Sequence, residues 1–319
     1  MSAPMGDEAW TEAETLLAVD IAERHYLQQQ SKLEIADALG ISRFKVARIL
    51  QRSLDEGLVR ISIAAPRQRN TELADQLRAR YDLEHVVLVD MQSLKKEQRL
   101  RELLGRATAQ LVSRLITEDD VLGMGWGRSV TSTAAMITKL PRCPIVQLGG
   151  IVGAPGANSM EPLRMLSSVG EGATYPLYAP LLLPDAETAA GLRRQPGIAS
   201  TLAMFDRVTM GVVAVGSWNP PNSQLREAFT AAEQREMTEK GVTAEVCGVL
   251  LDGSGAPLLP EVSQRMIAID GERLQQIPTV IAVAGGLSKA SAVHSVLLGR
   301  YATSLVTDMT LARELLARG

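Results

Sequence analysis

Three glycine-rich stretches in this sequence each follow an apolar run: Gly123 to Gly127 within GMGWGRSVTST, then Gly149-Gly150, then Gly285-Gly286. Glycine lets backbone N–H groups approach a ligand closely, and the start of a following helix favours an anion, so such turns suit the grip of a phosphate or another polar group. A tight strand-to-helix turn also needs glycine on its own account. Each stretch alone therefore leaves open an enzyme's phosphate cradle, a sensor's grip or a simple turn.

A second chemistry lies nearer the N-terminus, where Arg43, Lys45, Arg48 and Arg52 give four positive charges between Ser42 and Arg52 with no acid among them. The formal net charge of −3 argues against general nucleic-acid affinity, but a local basic face can still neutralise phosphates. The surrounding pattern predicts how this face is presented. The segment TLLAVDIAERHYLQQQ repeats apolar residues at helical spacing, with Leu16, Leu17, Ile21 and Leu27 on one side. Ser31 is placed to cap a short helix carrying Leu33, Ile35, Ala36 and Leu39, which Gly40 ends. Ser42 then caps a second helix with the stripe Val46, Ile49 and Leu50. Two helices joined by Gly40-Ile41-Ser42 make a helix-turn-helix. The first turn of its second helix would reach base edges in a major groove while Arg48 and Arg52 meet phosphates. Ser31, Ser42, Arg43, Phe44, Lys45, Arg48 and Arg52 are accordingly the DNA-binding candidates. Phe44 either touches a thymine methyl or packs. After Gly57, LVRISIAAP alternates as a strand, the expected wing of a winged helix.

At 319 residues the chain is long enough for two domains. The basic, Pro-interrupted stretch AAPRQRN, Ala64 to Asn70, marks the boundary between a DNA-binding domain at 1–65 and a larger domain at 66–319. Beyond it, apolar runs at HVVLVDM, DDVLGMGWG, PIVQLGG, TYPLYAP, VTMGVVAVG, TVIAVAGG and YATSLVTD alternate with amphipathic segments such as TELADQLRARYDL and EQRLRELLGRATAQLVSRLI. That rhythm predicts an α/β class with a mainly parallel sheet covered on both faces, whose ligand sits outside the carboxyl ends of the strands. With 46% hydrophobic and 22% charged residues, the composition is that of a folded globular protein. No apolar run approaches the roughly 20 residues needed to span a bilayer, and the acidic N-terminus lacks a basic, apolar leader, so a cytoplasmic location and no membrane partner are expected. Cys143 and Cys247 lack Cys or His neighbours at ligand spacing, so no metal is expected. His25, His85 and His294 read as structural.

The winged helix-turn-helix followed by LGMGWGRSV, GVVAVGS, EVCGVLLDGSGAPL and VAGGLSKASAVHSVLLGRYATSLVTDMTLARELL resembles the SorC family of sugar-responsive bacterial transcription regulators, from about Ala18 to Leu316. The resemblance implies an effector domain akin to sugar-phosphate isomerases with catalysis lost, a dimeric or tetrameric assembly, operator DNA as partner, and control by a sugar, sugar phosphate or polyol. No cofactor is implied. It places Gly127, Arg128, Ser129, Gly149, Gly150, Gly285, Gly286 and Lys289 at the effector. It also places Glu245 at sugar hydroxyls, Asp206 in the pocket lining and Arg226 at an anion. One departure is Leu148, where members that take phosphorylated sugars can carry a basic residue before the double glycine, which keeps a free polyol or pentose open.

Two of these residues carry alternatives. Lys289 lies about one turn into a helix and is either a ligand cation or a solvated charge; Glu245 either meets hydroxyls or pairs with a neighbouring Arg. The rival activity is a sugar-phosphate isomerase fused to a DNA-binding domain, in which Glu245, Asp206 and Lys289 would supply acid and base.

Overall fold

Alternating side chains make two apolar faces out of the strands of the larger unit. Met210 and Val212 pack into one buried cluster while Val213 and Val215 pack into another, and Ile281 and Val283 alternate with Val280 and Ala282 in the same way. A strand whose successive residues point to opposite faces must be covered on both sides, and each fully buried Val, Leu or Ile there contributes about 1.5–3 kcal/mol. The computed structural model describes residues 10–28, 30–59, 68–90, 97–152 and 160–318. They divide into two compact units, Met1–Pro66 and Arg67–Gly319.

Among its described residues the first unit has three α-helices. α1 (Glu12–Ala22) starts at Thr11 in a capping box with Glu14 and runs into a wider π-helical turn, Glu23–Leu27. α2 (Lys32–Leu39) starts at Ser31, boxed with Glu34, and ends at Gly40 with φ 64°, a left-handed cap that glycine adopts without strain. α3 (Arg43–Asp55) starts at Ser42, whose hydroxyl accepts from the Lys45 N–H. Val46, Ile49 and Leu50 pack against Ile35 and Ala36 of α2 and Ala18 and Ile21 of α1, as the helical spacing predicts. The expected stripe on α1 is only partly buried. Leu16 and Leu27 are 67% and 76% exposed, because Ala18, Ile21 and Ala22 form the inner face and the π-turn advances Leu27 out of phase with them. Leu33 also faces outward. The expected wing lies, from Arg60 to Pro66, outside the described residues.

The second unit opens with α4 (Gln68–Tyr81), which starts inside the segment read from sequence as linker. Strands β1 (His85–Val89), β2 (Leu122–Met124), β3 (Ile145–Gln147), β4 (Thr174–Tyr175) and β5 (Met210–Ala214) follow, with α5 (Glu97–Leu115) before β2 in the chain and α6 (Arg128–Ala134) after it. β6 (Gly216–Ser217), β7 (Ala244–Val246), β8 (Val249–Leu251) and β9 (Pro257–Leu258) form a separate antiparallel sheet, and β10 (Thr279–Val283) and β11 (Ser304–Asp308) return to the first. The main sheet has the order β1-β11-β10-β5-β2-β3-β4 with every pairing parallel. All seven apolar runs identified in the sequence supply its strands. The four-stranded sheet was not anticipated, because its strands are two or three residues long and carry no readable alternation. α5 covers one face through Leu104, Leu111 and Val112; α4 and the final helix, Met309–Ala317, cover the other through Leu77, Leu311 and Leu315. No helix among the described residues is long and apolar enough to cross a membrane.

From β2 the chain moves outward to β3 and β4, whereas from β5 it moves the other way to β10 and β11. The strand order therefore reverses between β2 and β5, and the connections after these two strands part to leave a crevice at their carboxyl ends.

Candidate functional site

That crevice is a cleft of about 220 Å³. Its walls come from the turn after β2 (Trp126 to Ser129), the end of β5 (Ala214 to Gly216) and the turn after β10 (Gly285 to Lys289). Glu245 of β7, the 222–227 segment and the first turns of α5 complete it. Within GMGWGRSV the glycines do different work. A Cβ on Gly123 would lie 2.9 Å from Leu148 and Val208, and one on Gly125 3.3 Å from Cys247 Sγ, so these two serve strand packing. Gly127 makes the turn: its φ of 116° is costly for any other residue, and it caps α6 directly beside Arg128 and Ser129. Arg128 reaches over to Asn222 Oδ1 at 2.7 Å.

Glu245 is 4% exposed. Its Oε1 accepts from the Ser223 hydroxyl at 3.0 Å and its Oε2 from the Gly248 N–H at 3.5 Å. Burial pushes its carboxyl well above the usual range, with the Ser223 and Gly248 hydrogen bonds and the charge of Lys289 pulling the other way. The pocket for this side chain exists because residue 216 has none: a Cβ on Gly216 would sit 2.4 Å from Glu245 Oε1. Lys289 is half-buried, and its Nζ donates to the Val215 carbonyl at 2.6 Å. Burial lowers its ammonium to about 8, with Glu245 opposing that shift and Arg128 adding to it. The cleft thus offers three cations, Arg101, Arg128 and Lys289, alongside three carboxyls, Glu97, Glu227 and Glu245. Such a mixture fits a ligand with one anionic or electron-rich end and several hydroxyls.

Residues 66–317 match the profile of the family described as "Putative sugar-binding domain". The chain is 27% identical over 308 residues to the sorbitol operon regulator of Klebsiella pneumoniae, covering 94% of this chain and 97% of that one. It is 25% identical over 307 residues to the deoxyribonucleoside regulator of Bacillus subtilis (strain 168), covering 94% and 96%. The full-length crystal structure of the K. pneumoniae sorbitol operon regulator SorC superimposes with a TM-score of 0.83 at 24% identity, covering 97% of this chain and all of that one, which shows a shared fold. The chain belongs to the SorC family.

In this SorC-family chain, seven of the eleven effector candidates meet in the cleft: Gly127, Arg128, Ser129, Glu245, Gly285, Gly286 and Lys289. Glu245 takes Ser223 and Gly248 as partners rather than an arginine, and Lys289 is no solvated charge. Four candidates lie elsewhere. Gly149 and Gly150 are filled over from inside the protein: a Cβ on Gly149 would lie 2.3 Å from the Trp126 ring, and one on Gly150 2.5 Å from the Ala179 carbonyl oxygen. Their backbones bridge to Ala268 and Ile267. Leu148 before them is fully buried, so the missing basic residue there says nothing about phosphate. Asp206 stands in the turn that precedes β5, at the amino end of the strand, and pairs with Arg273 at 2.6 Å. Arg226 turns away from the cleft and stacks on Trp218, 5.5 Å from the ring centroid. Glu97, Arg101, Asn222, Ser223, Gln224 and Glu227 line the cleft without having been singled out. Glu97 and Arg101 sit among charges that read as a solvated helix face, and the 222–227 segment carries no motif.

The packing role of Gly149 has a measurable consequence. Gly149→Ala forces the Trp126 ring aside and lowers stability by roughly 1–3 kcal/mol, seen as a lower denaturant midpoint, whereas an exposed ligand-contacting glycine would leave the midpoint unchanged.

On the first unit, Arg43, Lys45 and Arg48 are exposed on α3. Phe44 is 71% exposed, so it does not pack into the core; Arg43 lies over its ring at 4.9 Å. Ser31 and Ser42 spend a hydroxyl lone pair on their helix caps but remain at the surface. Arg52 pairs with Glu56 one turn on and stacks on Trp10 at 4.3 Å, so in the free protein its guanidinium is held by local partners. His294 Nδ1 meets the Tyr81 hydroxyl at 2.8 Å, and His25 Nδ1 meets the Gln30 carbonyl at 3.0 Å, both within the protein frame. Among the described residues no group of three or more His, Cys, Asp or Glu is placed to hold a metal ion.

Proposed function

We propose that this chain is a DNA-binding transcriptional regulator of a carbohydrate or polyol operon, controlled by a sugar, sugar phosphate or polyol bound in the cleft. The observation that carries the reading is the convergence of Gly127, Arg128, Ser129 and Lys289 with the buried Glu245 at the point where strand order reverses, in a chain whose other unit presents Arg43, Lys45 and Arg48 on one helix. The effector's anionic or electron-rich end lies against Arg128, Ser129 and Lys289, and its hydroxyls turn toward Glu245 and Asn222. Cytoplasmic DNA is the partner, and the working form is a homodimer or homotetramer, in keeping with the pseudo-symmetric operators such helix-turn-helix proteins read. The names of the sorbitol and deoxyribonucleoside regulators support the substrate class.

A depressed lysine beside a buried carboxyl is also what an isomerase would use. The geometry favours binding over turnover. Asp206, one of the three groups that isomerisation would draw on, is at the amino end of the sheet and outside the cleft. A thermal-shift panel of pentoses, hexoses, pentitols, hexitols and their phosphates tests the reading, since a ligand at 100 times its Kd stabilises the fold by about 2.7 kcal/mol. The expected result is stabilisation by at least one member and turnover of none. A panel without effect contradicts the cleft assignment, and measurable isomerisation contradicts the assignment as a regulator.

A further inference from the structure

The double glycine after β10 is shaped by a residue outside the cleft wall. β10 and β11 run parallel in register, Val283 beside Val306, so the chain leaving β10 passes alongside Asp308 at the end of β11. Asp308 is 5% exposed. Its Oδ2 accepts from the Gly286 N–H at 2.6 Å, while its Oδ1 accepts from the Thr310 and Leu311 N–H groups at 2.9 and 3.1 Å, capping the final helix. A Cβ on Gly285 would sit 3.0 Å from Asp308 Oδ2 and 2.7 Å from Leu104, so residue 285 is glycine where this carboxylate must come close. Gly286, with φ 88°, then turns the chain into the cleft. On its far side the same turn is held by Lys289 Nζ on the Val215 carbonyl and by the Ser217 hydroxyl on the Ser288 carbonyl. The Gly286 N–H is therefore spent on Asp308 and is no donor for a ligand.

We infer that Asp308 is a positioning residue for the effector. One carboxylate fixes the turn that carries Lys289 and the start of the last helix as a single unit, so the Lys289 ammonium is held in place before a ligand arrives. Preorganisation of this kind spares the ligand the cost of ordering the turn. The inference rests on the effector reading of the cleft for its binding consequence, but not for its structural one.

Asp308→Asn separates the two duties of the side chain. Asparagine has one acceptor oxygen where aspartate has two: with that oxygen on the Thr310 and Leu311 N–H groups, the two-bond cap that asparagine makes about as well as aspartate, its amide nitrogen faces Gly286 and cannot accept the N–H. Asp185→Asn, at the exposed cap of Ala186–Arg193, is the control for changing an aspartate cap to asparagine. Hydrogen exchange on ligand-free full-length protein is the first measurement. Asp308→Asn should speed exchange at Gly286 about tenfold, the loss of one charge-assisted hydrogen bond, with β5 and β10 amides unchanged. Unchanged exchange at Gly286, or acceleration spread over the whole sheet, overturns the inference whatever the ligand. The second measurement is the affinity of the panel sugar or sugar phosphate that most stabilises the wild type, with inorganic phosphate alongside it. Asp308→Asn should weaken that probe at least tenfold while Asp185→Asn matches the wild type; equal binding by all three proteins overturns the positioning role. If no panel compound binds the wild type, the cleft reading fails and the exchange result alone decides for or against Asp308.

Discussion

Lys289→Met should weaken binding of an anionic effector about 100-fold and leave the protein folded. The side chain is half-buried with its Nζ on the Val215 carbonyl, and truncating one partner of a desolvated charge-assisted contact costs about 2–5 kcal/mol, each 1.4 kcal/mol being tenfold. Methionine keeps the apolar stem and adapts to irregular space. Glu245 is not stranded as a bare charge, because its burial already favours the protonated form. The same group sets a pH dependence. With Lys289 lowered to about 8 from 10.5, the ammonium is present below pH 8 and lost above it, so affinity for an anion should fall as pH rises through this range. Bound anion pushes the decline to higher pH, since it favours the charged form. Without ligand the sign reverses for stability. Between about pH 8 and 10.5 the unfolded chain binds more protons at this lysine than the folded one, so the stability contribution of Lys289 rises with pH across that window. Denaturation midpoints from pH 7 to 10 should show this rise in the wild type and a flatter profile in Lys289→Met; parallel profiles would show that Lys289 is not held in a desolvating site.

The second large effect belongs to α3. Arg48→Ala should weaken operator binding and reduce the salt slope by about one, as expected when one phosphate contact is lost. Lys45→Ala, one turn nearer the helix start, should cost about 1–3 kcal/mol at the base it reads and relax preference there. Arg52→Ala should do less than Arg48→Ala, because Glu56 and Trp10 already hold Arg52. Fluorescence anisotropy on a selected operator at several salt concentrations distinguishes these outcomes. Equal losses for Arg48 and Arg52 would mean that Glu56 releases its partner on DNA.

The elements were legible where a local rule governs them. Ser31, Gly40 and Ser42 announced the helix-turn-helix because caps and left-handed turns depend on residue type, and the main strands showed as apolar runs because both faces are buried in the inner strands and half-buried in the edge strands β1 and β4. The cleft was legible at its turns and illegible at its far wall. Gly127 and Lys289 carry a spacing that a reader can find, whereas Asn222, which meets Arg128 from 94 positions away, depends on a tertiary fold that no local window contains. Gly149-Gly150 misled for a related reason. A glycine shaped by a ligand and one shaped by a tryptophan ring look identical in sequence, and only the 2.3 Å approach to Trp126 tells them apart. Arg52 has an acid four positions on, Glu56, just beyond the basic run, and that ion pair shows only in the folded helix.

Control of DNA binding from the cleft is tested most directly by one titration. Operator selected from a random-sequence pool is bound by the full-length protein with and without the panel compound that most raises its thermal stability, in the wild type and in Lys289→Met. An allosteric coupling of ordinary size changes operator affinity by about 5–150-fold, and the operator must change effector affinity by the same factor. The account predicts that change in the wild type and its loss in Lys289→Met, with ligand-free operator affinity equal in the two proteins. Operator affinity indifferent to every stabilising compound, or a full response surviving in Lys289→Met, would contradict it.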